Sequence, residues 1–101
     1  MASKNKKSTT SDADAIYLLP GLRTPFARVD GELARRDAIA LSVPVVEAMA
    51  STASAIDLFV WGSVAPNLAY SNIAREIWLD AGMEPHVPSF STVMACSTSM
   101  A

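Results

Sequence analysis

Residues 89–101 read SFSTVMACSTSMA, and this stretch decides the fold. Residues 90–94 (FSTVM) are rich in residues that suit a pleated, half-buried surface, which predicts a strand. The run then gives way to Ser97-Thr98-Ser99, a cluster suited to starting a helix, with Cys96 at the handover. Working backward, Pro85 and Pro88 bracket a loop. Before it, Ser71 is read as the N-cap of a helix over 72–81 that Gly82 ends at its C′ position. Ile73, Ala74, Ile77, Trp78 and Ala81 form one stripe of that helix, and Asn72, Arg75, Glu76 and Asp80 lie mostly around the other side. Residues 56–61 (IDLFVW) predict a second strand, closed by Gly62.

Further toward the N-terminus, Ala34, Ala38, Leu41, Val45 and Ala48 follow helical spacing, widened by Ile39, Val43, Val46 and Ala50. They predict a helix over 33–51 with Pro44 inside it and an expected kink there. Asp37 is an alternative N-cap, and it still leaves Pro44 well inside. Residues 15–19 (AIYLL), stopped by Pro20-Gly21, read as a strand buried on both faces. The order is β-α-β-α-β followed by the beginning of a helix, an α/β class in which helical crossovers imply parallel strands. Three strands and two helices make about half of a layered α/β domain, and the stop just after an apparent new helix start reads as a truncation.

Composition narrows the function classes. Half of the 101 residues are hydrophobic and 18% are charged, too apolar for a disordered chain. A formal charge of −2 gives no basic footprint, so nucleic acid is not an expected partner. One cysteine makes no internal disulfide, and one cysteine with one histidine makes no tetrahedral zinc site. No apolar run reaches the roughly 18 residues of a membrane span. A disulfide-free cytoplasmic setting is therefore expected. Residues 1–14 hold three lysines and a run of Ser and Thr, and read as a disordered polar leader rather than a secretory signal or mitochondrial presequence. Residues 15–101 make up the folded part.

In open α/β sheets chemistry collects beyond the carboxyl ends of the strands, and Cys96 falls there. At the first turn of a helix its sulfur would meet unpaired N–H groups and the positive end of the macrodipole, which favour the nucleophilic anion. The competing reading is an inert buried cysteine, and position alone leaves both open because no base partner is identifiable.

The neighbouring residues add a family. Val87-Pro88, Ser91-Thr92-Val93 and Ala95-Cys96-Ser97 resemble the nucleophile segment of the thiolases. Arg23-Thr24-Pro25-Phe26 followed by Gly31 and Leu33 resembles their opening RTPF element. Ile56-Asp57 to Gly62-Ser63-Val64 resembles their second strand and turn, Ser71-Asn72-Ile73-Ala74-Arg75-Glu76 their N-x-A-R helix start, and Ala81-Gly82 its end. The resemblance runs from Ile16 to Ala101. Most thiolases carry Cys-Gly/Ser-Ser-Gly at the nucleophile, whereas this chain reads Cys96-Ser97-Thr98-Ser99. That sequence is more similar to the β-subunit type of the trifunctional fatty-acid β-oxidation complexes.

The resemblance implies the N-terminal part of a thiolase N-terminal domain, from a 3-ketoacyl-CoA thiolase. Cys96 is then the acyl-thioester nucleophile, with its backbone N–H in an oxyanion hole, and an acyl-CoA and coenzyme A are substrates rather than cofactors. Met94 and Met100 flank the cysteine and are candidates for an acyl tunnel or, equally, for flexible core filling. The activating histidine and second cysteine of the family belong to segments outside this chain, and His86 reads as a solvated loop residue. A homodimer or larger assembly is expected, with a hydratase/dehydrogenase subunit as a further partner. The fragment alone is expected to be inactive and marginally stable. Acetyl-CoA acetyltransferase of the biosynthetic type, a related condensing enzyme, and a non-catalytic α/β fragment with a buried cysteine are the alternatives. Arg23 is expected in an ion pair or loop-carbonyl contact, Arg75 in a charge cluster with Glu76 and Asp80, and Trp61 and Trp78 in the core or an interface.

Overall fold

A cap fixes where the first long helix begins. In a computed structural model that describes residues 12–101, Asp37 has extended backbone and its carboxylate accepts a hydrogen bond from Ala40 N–H at 2.7 Å, which starts α1 (Ala38–Ala50). Such a cap contributes about 1 kcal/mol. The start expected at 33 is thus early by five residues. Residues 33–36 instead lie in turns, in which Arg36 N–H bonds the Leu33 carbonyl. Pro44 is the seventh residue of α1 and offers no N–H to the Ala40 carbonyl, yet the helix runs on to Ala50. The buried face of α1 is narrower than its sequence stripe. Ser42 and Val46 are buried and Ile39 and Val43 pack against the core, while Ala38 and Ala48 are exposed.

Strand β1 (Phe59–Ser63) and strand β2 (Ser89–Val93) are parallel, with Phe59 opposite Ser89 and Ser63 opposite Val93. Helix α2 (Ile73–Asp80) is the crossover between them. The cap of α2 is Asn72, not Ser71. Its side-chain oxygen accepts from Arg75 N–H at 3.4 Å and from the Ser91 hydroxyl at 2.8 Å, and its amide donates to the Ser89 carbonyl at 3.0 Å. One side chain therefore starts the helix and ties it to β2. At the other end Gly82 has φ +73°, and Gly82 N–H bonds Leu79 O while Met83 N–H bonds Trp78 O. That pair of bonds is the Schellman arrangement, in which glycine takes the left-handed position at no steric cost.

All five residues of the α2 stripe are buried, and with Val46, Phe59 and Val87 they form the core. The Phe59 ring lies 5.0 Å from the ring of Trp78 and 5.4 Å from that of Trp61. Trp78 spends its indole N–H on the Glu84 carbonyl at 2.8 Å, so its burial leaves no polar atom unpaired. Trp61 reaches across to α1, donating to Ser42 Oγ at 3.1 Å, and Ser42 in turn donates to the Ala38 carbonyl at 2.6 Å.

Three expectations are corrected. The strand over 15–19 is not formed. Ile16 and Leu18 are almost fully exposed, because no strand among the described residues pairs with the segment. The strand expected at 56–61 shifts to Phe59–Ser63, since the ladder opens with Phe59 N–H on the Pro88 carbonyl at 2.9 Å. By the same register the strand expected at 90–94 begins and ends one residue earlier. The described elements thus run α-β-α-β, a small α/β unit with a two-stranded parallel sheet. The leader reading of 1–14 lies outside the described residues, apart from a 3-10 turn at Asp12–Asp14.

Candidate functional site

Beyond the carboxyl ends of β1 and β2 the chain leaves a cleft of about 570 Å³. Trp61, Gly62, Ser63 and Val64 wall one side, and Thr92, Ala95, Cys96, Thr98 and Ser99 the other. Cys96 is a free, exposed thiol on that cleft. It stands where the sequence puts a nucleophile. The described segment that follows β2 is a 3-10 helix, Ala95–Met100, with Cys96 in its first turn.

A strained turn presents the thiol. Ala95 has φ +48°, a left-handed conformation that costs a residue with a Cβ about 1–2 kcal/mol. Strain of this kind persists only where surrounding contacts enforce it. Those contacts come from Thr98, which is buried. Its hydroxyl accepts from Met94 N–H at 2.8 Å and faces the carbonyls of Ala95 at 2.8 Å and Ser63 at 3.1 Å. Gly62 makes room for it, because a Cβ there would overlap the Thr98 methyl and crowd the Thr92 hydroxyl. In the sequence Gly62 marks the close of a strand and Thr98 belongs to a helix-start cluster, and nothing there links the two. A glycine inside a strand is a signal of close approach by another group, and it was the available clue.

The other sequence candidates lie elsewhere. Met94 and Met100 are exposed, and neither lines the cleft. His86 is exposed, with Nδ1 3.7 Å from a Glu84 carboxylate oxygen, and does not line the cleft either. The charge cluster expected at Arg75 is corrected. Its guanidinium donates to the carbonyls of Val87, at 2.9 Å, and Pro85, clamping the loop that leads into β2. Arg23 makes the loop-carbonyl contact, to Thr24 O at 3.0 Å, with its guanidinium 4.2 Å above the Phe26 ring. Trp61 is half-buried and Trp78 is in the core. Among the described residues no cluster of side chains is suited to hold a metal ion, and no helix is long and apolar enough to cross a membrane.

Fold and site together define an α/β unit that delivers a cysteine thiol to a cleft at the carboxyl ends of parallel strands. Comparison with known proteins narrows this class. The chain is 39% identical over 94 residues to a 3-ketoacyl-CoA thiolase of Vibrio cholerae serotype O1, and 40% identical over 94 residues to one of Escherichia coli O1:K1. To a 3-ketoacyl-CoA thiolase of Pseudoalteromonas atlantica it is 37% identical over 95 residues. These matches cover 89 to 90% of this chain and 22% of each relative, so the chain spans about a fifth of the length of the curated relatives it matches. No family model matches the chain, and no solved structure does. The chain belongs to the thiolase family.

Proposed function

We propose that this chain supplies the acyl-accepting cysteine of a 3-ketoacyl-CoA thiolase acting in fatty-acid β-oxidation. The observation that carries the reading is the exposed Cys96 thiol on the cleft beyond β1 and β2, in a chain similar to proteins of that name. Cys96 Sγ attacks the C3 carbonyl carbon of a 3-ketoacyl-CoA. The C2–C3 bond breaks, its electron pair stays on C2, and protonation there releases acetyl-CoA. The shortened acyl group remains on Sγ as a thioester. Coenzyme A thiolate then attacks that thioester and releases the acyl-CoA, and the electron pair returns to Cys96. The Cys96 backbone N–H serves the oxyanion of both tetrahedral intermediates.

The proton transfers of this cycle call on a histidine and a second thiol. The one cysteine of this chain is Cys96 itself and its one histidine, His86, does not line the cleft, so the reading assigns both groups to the rest of the enzyme. The chain alone is expected to accept an acyl group without sustained turnover, and the working protein to be a cytoplasmic homodimer or larger assembly with a hydratase/dehydrogenase partner. Alkylation tests the reading cleanly because only one cysteine can react. Iodoacetamide should label Cys96, and an acyl-CoA added first should slow that labelling. Equal rates with and without the thioester would overturn the proposal.

A further inference from the structure

The register of the sheet locates its next rung. Phe59 N–H bonds the Pro88 carbonyl, one residue before its partner Ser89. In a parallel ladder the carbonyl of each such residue then accepts from the residue after its partner. Ser63, opposite Val93, stands in the same phase as Phe59, so its carbonyl is due the N–H of Met94. The Met94 N–H goes instead to the Thr98 hydroxyl at 2.8 Å, and that hydroxyl lies 2.8 Å from the Ala95 carbonyl and 3.1 Å from the Ser63 carbonyl, the two acceptors open to its one proton. The side chain is wedged between the two strand ends where they would otherwise zip further. Its methyl sits against Gly62, where no Cβ fits. One residue beyond the wedge the backbone turns left-handed at Ala95, and the next side chain is Cys96.

We propose that Thr98 is a positioning residue for Cys96: its hydroxyl replaces one rung of the parallel ladder and thereby fixes the turn that sets the thiol over the cleft. For its chemical consequence this rests on the acyl-transfer reading above, but the wedge itself is a matter of backbone geometry. Misplacing a nucleophile by about 1 Å costs on the order of a hundredfold in rate. A small reagent that needs only an exposed thiol is indifferent to such a shift.

The test compares the full chain with Thr98→Val, which keeps the methyl and removes the hydroxyl, and Thr98→Ser, which does the reverse. In Thr98→Val the Met94 amide should exchange with solvent at least about tenfold faster, the loss of roughly one hydrogen bond. Acyl transfer from an acyl-CoA to Cys96 should fall by at least the same factor, while iodoacetamide labelling proceeds at the wild-type rate. Thr98→Ser should restore both Met94 protection and acyl loading. Wild-type exchange at Met94 in Thr98→Val, or acyl loading that Thr98→Ser fails to restore, overturns the assignment and leaves the nucleophile reading standing. A wild-type chain that accepts no acyl group, yet whose Met94 exchange depends on the hydroxyl, supports the wedge and sinks the acyl-transfer reading alone. If Thr98→Val unfolds, Thr98→Ser decides: lost protection at Met94 in that variant overturns the assignment.

Discussion

Residues 15–19 are apolar throughout and residues 73–78 carry Arg75 and Glu76 among their apolar side chains, yet Ile16 and Leu18 are 94% and 98% exposed whereas Ile77 and Trp78 are 0% and 2% exposed. The difference does not lie in hydrophobicity. Helix α2 satisfies its own backbone and needs only a surface to lie on, which β1, β2 and α1 provide. A strand needs a neighbour for its N–H and C=O groups before its side chains can be buried. No described strand takes that place beside 15–19. Apolar character states a demand for burial, and the backbone decides whether the demand can be met.

Substitutions can break or sharpen that contrast. Trp78→Ala should have the largest effect, about 3–5 kcal/mol, because it removes the ring against Phe59 and the indole bond to Glu84 O. A loss of that size is enough to unfold the unit, read as a collapse of the urea or thermal transition. Gly62→Val comes next, at about 1–3 kcal/mol of overpacking, since its branched side chain meets the Thr98 methyl and the Thr92 hydroxyl. It should also slow acyl loading of Cys96 more than alkylation, as Thr98→Val does. Asn72→Ala should cost about 1–2 kcal/mol, visible as a lower denaturation midpoint. It removes the cap of α2 and leaves the Ser91 hydroxyl and Ser89 carbonyl without their partner. Leu18→Ala should be the mildest, within about 0.5 kcal/mol. A cost there near that of Trp78→Ala would mean the segment is docked after all, and the contrast would be lost.

Helix α2 was the most legible part of the chain. Its five-residue stripe is the heart of the core, and Gly82 ends it as read. Its cap was misplaced by one residue because Ser71 and Asn72 are both good caps, and only the bonds from Asn72 to Ser89 and Ser91 distinguish them. The two strands were found but shifted, since register belongs to the pair and neither sequence states it alone. The start of α1 depended in the same way on which of several polar residues capped it, and Asp37 did.

At the site, the sequence led to Cys96 and to its place beyond a strand end. The way the thiol is held was not legible. The left-handed turn at Ala95 and the Thr98 wedge arise from contacts between residues 35 positions apart, Ser63 and Thr98. Met94 and Met100 drew attention by adjacency in sequence, but a strand points alternate side chains to opposite faces and a turn redirects them again. Neither methionine lines the cleft, although Ala95 beside Met94 and Ser99 beside Met100 do.

The central claim is that Cys96 accepts an acyl group from a thioester. Incubation of the chain with an acyl-CoA, followed by intact-mass spectrometry and peptide mapping, tests it most directly. The expected result is a gain of one acyl group, located at Cys96 and lost in Cys96→Ala. An unchanged mass, or an adduct carried equally by Cys96→Ala, would contradict the account.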